Sequence, residues 1–346
     1  MNSAFPKFSI VIPARNASRT MAMCLDSLRR LDPGAVEVIV VDDASTDDTS
    51  EIARAHGARV VRLVENLGPG LARNEGVRVA EGEYLAFTDA DCSVPPDWLG
   101  RFDEALRDGS HVAATGPYAG TTEKLFLTVL IDFWLRFNQR HVPARIESCI
   151  TANLSVRKAD FEAVGGFPAY RLPGAKLCCF TNEDEELARF LSRATSKFVA
   201  WLPSNGVFHA YRATLPAFFA QQAKYVESIL VTYARFPFMM KGRTYYSRGG
   251  GTMQIVTSAL FLFCAAAAFR LPRALFGCLP FLITNFGTVR YLHQNGATPA
   301  MRLRLAAAAY PFLMMVSIAW MKGAVTGFCK ALIGTIYWRR AGYRSA

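Results

Sequence analysis

The 346-residue chain has no acidic residue after Glu227. All 28 Asp and Glu lie in residues 1–227, which carry a net charge of −3; residues 228–346 hold 14 Lys and Arg and a charge of +14. Charge is also scarce. Charged residues are 19% of the chain and hydrophobic ones 51%, which excludes an intrinsically disordered protein and implies membrane contact. The basic part is the apolar part and lacks interleaved Lys, Arg and aromatics, so nucleic acid is not an expected partner. Cations flanking apolar runs suit anionic membrane lipid instead. The eight cysteines include no C-x-x-C pair, and Cys178 and Cys179 are adjacent. Neither a zinc knuckle nor a disulfide framework is indicated, and reduced thiols are expected. No G-x-G-x-x-G follows the first apolar run, where Ile12-Pro13-Ala14-Arg15-Asn16 stands, which argues against a nicotinamide-dependent oxidoreductase. That run, residues 8–13, is too short for a secretory leader, so the acidic part is expected to stay in the cytoplasm.

What is present is an alternation. Apolar runs at 8–13, 36–41, 59–64 and 83–88 read as buried strands, with helical spacing at 21–31 and 71–80 between them. This order predicts an α/β domain with a mostly parallel sheet and ligands at the carboxyl ends of its strands. Residues 125–137 read as an interrupted apolar helix, 183–191 as a helix, 198–201 as a short strand and 218–233 as the start of another helix. Four apolar segments follow, at 252–269, 274–292, 305–321 and 323–338. The expected organisation is a cytoplasmic catalytic domain over 1–235 and a membrane domain over 236–346. The segments predict a multi-pass protein of the inner (cytoplasmic) membrane; four crossings put Arg290, Arg302, Arg304, Arg339, Arg340 and Arg344 inside and Arg270 and Arg273 outside, and two crossings with interfacial helices are the alternative.

The polar clusters fall at strand ends. Asp89 and Asp91, in Thr88-Asp89-Ala90-Asp91, can converge on one divalent cation, which would neutralise charge on a diphosphate leaving group. Asp42 and Asp43 close the second strand in Asp42-Asp43-Ala44-Ser45-Thr46-Asp47. A carboxylate there can accept from a nucleobase or ribose, while Asp47 and Asp48 read as turn and cap residues. Arg73, one turn into a helix opened by Gly68-Pro69-Gly70, suits a base or phosphate, or is a surface arginine. The four acids Glu183-Asp184-Glu185-Glu186 read locally as a solvated first turn favoured by the helix dipole. In a sugar-transfer site one of them would be the general base. His209 follows a strand-like Gly206-Val207-Phe208 and is a candidate third metal ligand.

Together these clusters resemble family 2 glycosyltransferases with a GT-A fold. The opening Ile10-Val11-Ile12-Pro13-Ala14-Arg15-Asn16 is similar to that family's first-strand motif, with Arg15 where an aromatic is common. Residues 40–47 resemble its nucleotide-binding Val-Asp-Asp-Gly-Ser motif, with Ala44 in place of Gly. Ala72-Arg73-Asn74 resembles its base-contacting helix start and Asp89-Ala90-Asp91 its metal-binding Asp-x-Asp. Asn153, in Ala152-Asn153-Leu154-Ser155, resembles a position lining the acceptor side, and Glu183-Asp184 resembles the pair whose Asp is the base. The resemblance spans residues 8–230. It implies inverting transfer from a nucleoside diphosphate sugar, most commonly UDP-linked, to a lipid-linked or polysaccharide acceptor. Asp184 is then the catalytic base, and Asp89, Asp91 and His209 hold Mn²⁺ or Mg²⁺. Pro13, Arg15, Asp42, Asp43, Arg73, Asp89, Ala90, Asn153 and Glu183 contact substrate. Gln221-Gln222-Ala223-Lys224-Tyr225 departs from the Gln-x-x-Arg-Trp motif of processive synthases, which favours single addition. Direct glycosylation of polyprenyl phosphate and a non-catalytic nucleotide-binding membrane protein are the alternatives.

Overall fold

The first strand, β1 (Phe8–Ala14), is buried at every residue, as a parallel strand covered on both faces must be. The structure is a computed structural model that describes residues 7–31, 36–121, 125–139, 142–168, 170–171, 177–178, 183–210, 214–235, 279–295 and 298–340. In chain order after β1 come α1 (Ser18–Leu28), β2 (Val36–Asp42), α2 (Thr49–Ala55), β3 (Arg59–Arg62), α3 (Pro69–Arg78) and β4 (Tyr84–Phe87). They are followed by β5 (Cys92–Ser93), α4 (Trp98–Leu106), β6 (His111–Thr115), β7 (Tyr118–Thr121), α5 (Phe126–Gln139) and β8 (Arg145–Ile146). After a 3-10 turn at Thr151–Asn153 come β9 (Leu154–Arg157), α6 (Lys158–Ala163), β10 (Tyr170–Arg171), β11 (Leu177–Cys178) and α7 (Glu183–Thr195). β12 (Phe198–Trp201), β13 (Val207–His209), α8 (Leu215–Arg235) and two further helices, Leu279–Asn295 and Pro299–Arg340, complete the described chain.

Residues of the strands and of α1–α4, α6 and α7 make one compact unit. Its main sheet has the order β3-β2-β1-β4-β9-β6-β12-β8. β3, β2, β1 and β4 run parallel, linked by helical crossovers as the alternation predicts. β9 breaks the pattern by lying antiparallel to both β4 and β6. A smaller sheet, β5-β13-β7, sits apart from the main one. The core is continuous from Ile10, Ile12, Ile39 and Val40 to Leu85, Phe87, Trp98 and Phe102. Helix α3 approaches the sheet so closely that a Cβ on Gly76 would lie 2.5 Å from Val11 Cγ1, which restricts that position to glycine.

The second unit contains α5, α8 and the two last helices. Trp134 of α5 lies edge-on to Phe218 and Phe312, with centroids 6.2 and 6.0 Å away. Along α8, Gln222 accepts from Trp320 Nε1 at 3.1 Å and Glu227 accepts from the Thr326 hydroxyl at 3.0 Å. The expectation of separate helices at 305–321 and 323–338 is corrected here. Both lie within one continuous helix, Pro299–Arg340. Lys322 interrupts the apolar run but does not break the backbone. The following Gly323 stays helical because α8 packs directly on it, with a Cβ there falling 2.0 Å from the Ala223 carbonyl oxygen. The segment at 274–292 overlaps the helix Leu279–Asn295, and the one at 252–269 lies outside the described residues. Among the described residues one stretch, Pro299–Thr326, is helical, long and apolar enough to cross a membrane.

Candidate active site

The loop that ends β4 carries the first group of site residues. It is tightened by the Cys92 N–H donating to the Asp89 carbonyl at 2.9 Å. The chain then enters β5, which pairs antiparallel with β13 and sets Cys92 directly opposite His209. The Ala210 N–H extends the pairing to the Asp91 carbonyl at 2.8 Å. Strand pairing thus brings together two residues over 100 positions apart, with His209 Nε2 3.4 Å from Asp91 Oδ1. The Tyr118 ring stands edge-on to the imidazole at 5.2 Å. Among the described residues, one set of possible metal-ligating atoms converges within 4.8 Å, that of Asp91, Cys92 and His209. A carboxylate beside an imidazole suits a divalent transition ion, so the donor set fits the expected cation. Asp89 does not join this set, because its carboxylate turns to Arg73.

Arg73 is the hub of the second group. Its side chain is 2% exposed, and Nη2 donates to Asp89 Oδ1 at 2.6 Å while Nη1 donates to Glu183 Oε1 at 3.3 Å. The guanidinium also lies over the Phe167 ring, 5.4 Å from its centroid. Burial works against its charge, but Asp89 and Glu183 outweigh that and raise its pKa. This corrects the expectation that Arg73 grips the nucleoside: both ends of its fork are committed to carboxylates. Burial raises the Glu183 carboxyl despite Arg73, and Glu183 Oε2 is buried without a hydrogen-bond partner. Beside it, burial first and the Glu183 charge second push Asp184 well above the usual carboxylate range. Asp184 Oδ1 accepts from the Glu185 N–H at 2.8 Å, and the Cys149 thiol donates to the Asp184 carbonyl at 3.2 Å.

The local reading of 183–186 as a solvated turn is overturned. Glu183, Glu185 and Glu186 are all buried, and Glu185 is held by Arg189 one turn later at 2.8 Å. Two other expected contacts are also turned inward. Asp42 is fully buried and accepts from the Ser45 N–H at 2.8 Å and from the Ser50 hydroxyl, with Arg62 Nε 3.8 Å away. Its carboxylate shapes the turn after β2 and is not open to a nucleoside. Asn153 is likewise fully buried: Oδ1 accepts from Trp98 Nε1 at 2.8 Å and Nδ2 donates to the Asn205 carbonyl at 2.6 Å. That amide ties β9 to α4 and to the segment before β13, so it does not face an acceptor.

The remaining positions frame the site through backbone and turns. Asp43 accepts from the Leu67 and Gly68 N–H groups at 2.7 and 2.9 Å, fixing the loop before α3. Pro13 and Ala90 are buried and offer backbone, whereas Arg15 is exposed. Asp47 is a turn residue as expected; burial alone would raise its pKa, but hydrogen bonds from Thr49 and Ser18 pull it down to about 2. The sequence reading missed Cys92, whose signal is its position opposite His209, and the Phe167 ring beneath Arg73.

Residues 9–164 match the family model for glycosyl transferase family 2. The chain is 30% identical over 187 residues to glycosyltransferase AglE of Haloferax volcanii, covering 50% of this chain and 60% of that protein. It is 34% identical over 148 residues to the succinoglycan biosynthesis protein ExoO of Rhizobium meliloti, covering 41% and 42%. The chain therefore spans less than two thirds of the length of these curated relatives. In fold it is similar to the mannosyltransferase PcManGT of Pyrobaculum calidifontis, solved in complex with GDP-Man and Mn²⁺. The TM-score is 0.56 at 19% identity, over 94% of this chain and 88% of that one. The first unit accordingly has the GT-A architecture.

Proposed function

Because residues 9–164 form a family 2 glycosyltransferase domain, we propose that the protein transfers a sugar from a nucleoside diphosphate sugar to a hydroxyl of a lipid-linked glycan. The observation that carries this reading is the row of charges Asp89–Arg73–Glu183, which ends beside Asp184 and begins beside Asp91 and His209. The row supports a reading in which a donor diphosphate site and a proton acceptor share one connected frame. Asp91 and His209 would hold Mn²⁺ or Mg²⁺, which when bound neutralises charge on the diphosphate, while Asp89 stands beside them on Arg73. Asp184 takes the proton of the acceptor hydroxyl as its oxygen attacks the anomeric carbon from the side opposite the leaving group. That in-line geometry inverts the anomeric centre. The raised Asp184 carboxyl suits a general base, since proton transfer is most efficient when the pKa approaches the working pH. Arg73 acts on the reaction through Asp89 and Glu183, holding both in place.

In this reading catalysis belongs to residues 1–235 and membrane contact to 236–346. The charge of +14 over 228–346, together with the apolar stretches at 252–269, 274–292 and Pro299–Thr326, favours a multi-pass protein at a cytoplasmic membrane face rich in anionic lipid. UDP-linked sugars are the first donors to test.

The test is the thermal stability of the full chain in detergent with UDP, GDP or CDP, each with and without Mn²⁺. A ligand bound only by the native state raises the midpoint. Metal-dependent stabilisation by one nucleoside diphosphate is the expected result and names the donor class; no shift with any of them overturns the reading. Transfer is then assayed on membrane glycolipid. Sugar placed on polyprenyl phosphate alone, with no glycan present, would replace the proposed acceptor.

A further inference from the structure

We propose that Cys92 is a protein ligand of the cation held by Asp91 and His209, so that the site prefers a thiophilic divalent ion such as Zn²⁺ or Co²⁺ over Mg²⁺. The inference rests on the metal-dependent reading above and deepens it. Its first support is backbone geometry. Residues directly opposite in an antiparallel pair project to the same face with Cβ atoms about 4.5–5.5 Å apart. Cys92 and His209 are such a pair. The second is the separation of the donor atoms. Asp91 Oδ1 lies 3.8 Å from Cys92 Sγ and 3.4 Å from His209 Nε2, and all three atoms fall within 4.8 Å of one another. Ligands that share one tetrahedral ion, with bonds of about 2.0–2.1 Å to N or O and about 2.3 Å to S, stand roughly 3.3–3.6 Å apart. Asp91 already stands near that spacing from both partners, and Cys92 and His209, within 4.8 Å, have at most about 1.5 Å to close.

Exposure distinguishes the two sides of the set. Cys92 is fully buried, whereas the Asp91 side chain is 42% exposed. Sulfur would close the inner side of the ion and leave the outer side for substrate oxygens. On binding, the thiol gives its proton to solvent and sulfur ligates as thiolate. A thiolate in the set shifts preference from hard, oxygen-seeking Mg²⁺ to softer ions. Cys24 is an internal control. It is equally buried in the same core and donates to the Asp89 carbonyl at 3.5 Å, yet it lies outside the converging set.

The experiment loads the full chain in detergent with Co²⁺ in the presence of UDP and follows the thiolate-to-cobalt charge-transfer band. X-ray absorption on the Zn²⁺-loaded wild-type protein gives a second readout that needs no variant. The expected result is a charge-transfer band and one sulfur at about 2.3 Å. Cys92→Ser removes the band and weakens Co²⁺ binding at least tenfold while changing Mg²⁺ binding less than twofold; Cys24→Ser keeps the band. Bound Co²⁺ and Zn²⁺ with only nitrogen and oxygen neighbours would overturn the role of Cys92 and leave the metal-dependent transferase standing. No Co²⁺ or Zn²⁺ bound at all would overturn both.

Discussion

Asn74 holds Phe167 by both ends of its amide. Nδ2 donates to the Phe167 carbonyl at 2.8 Å, and Oδ1 accepts the Phe167 N–H at 2.9 Å. The pair mimics one rung of a β-ladder across 93 residues and seats the Phe167 ring against Arg73. Gly166 makes the approach possible: its φ is +75°, and a Cβ there would fall 2.7 Å from Asn74 Oδ1. Asn74→Ala leaves both backbone groups of Phe167 without a partner. The expected cost is about 2 kcal/mol, read as a lower thermal midpoint, with transfer falling as Arg73 loses its support.

Arg73→Met tests the buried ion row more severely. It leaves Asp89 and Glu183 facing each other without the intervening cation. Breaking a buried pair from one side typically costs about 3–5 kcal/mol. The loss should shrink as pH falls and Glu183 takes up a proton, because its carboxyl is already raised by burial. Thermal midpoints from pH 8 down to pH 5 check this. A loss that is independent of pH would mean that the fold does not depend on Arg73 through charge.

Asp184 links stability to catalysis through its proton. Its folded pKa lies well above the unfolded value of about 3.9, so the folded chain binds the proton more tightly. The contribution to stability is full below the unfolded pKa and is lost as pH rises through the folded one. Transfer needs the ionised form and therefore rises over that same upper range. Asp184→Asn keeps an oxygen for the Glu185 N–H and removes the buried charge. It should raise the thermal midpoint at pH 8 relative to wild type, with the difference vanishing toward pH 4. Transfer should fall at least about 100-fold with nucleotide binding retained. Turnover near wild type would remove Asp184 from the mechanism.

Ala44 sits at φ +57°, between Asp43 and Ser45, where an L side chain is strained by roughly 1–2 kcal/mol. The family motif that this turn resembles has glycine there. Ala44→Gly should stabilise the protein by about 0.5–1 kcal/mol, the relieved strain less the extra freedom glycine gains in the unfolded chain. Thermal unfolding measures it. A decrease in stability would mean that the methyl group packs more favourably than its backbone geometry costs.

The parallel half of the sheet was legible because strands buried on both faces are mostly apolar, as β4 is throughout and β1 and β2 are apart from Ser9 and Asp42 at their buried positions. Asp89 and Asp91 drew attention because they close a strand at i and i+2, whereas Asp184 was singled out only through the resemblance, its local pattern reading as a solvated helix start. β9 was not legible. Leu-Ser-Val-Arg offers two apolar residues, and Ser155 is accommodated in the interior by donating to the Leu85 carbonyl at 3.0 Å. Nor could local pattern reveal that Glu183 is buried, since its cationic neighbour Arg73 lies 110 positions away. Asn153 misled for another reason: its likeness to an acceptor-lining position drew a ligand reading, while its partners Trp98 and Asn205 are contacts of the fold. The long last helix escaped because hydropathy registers a lysine as a gap and backbone hydrogen bonding does not.

The antiparallel seat of β9 has a consequence for synthesis. β4 pairs on one side with β1, which precedes it in the chain, but its other side is completed only by Leu154–Arg157. At ribosomal rates of about 5–20 residues per second, translating residues 88–153 takes roughly 3–13 s. During that interval the nascent chain displays an apolar strand with unpaired amides and carbonyls, a template for joining other chains. Chains truncated before residue 154 should therefore associate, and those extended through 164 should not.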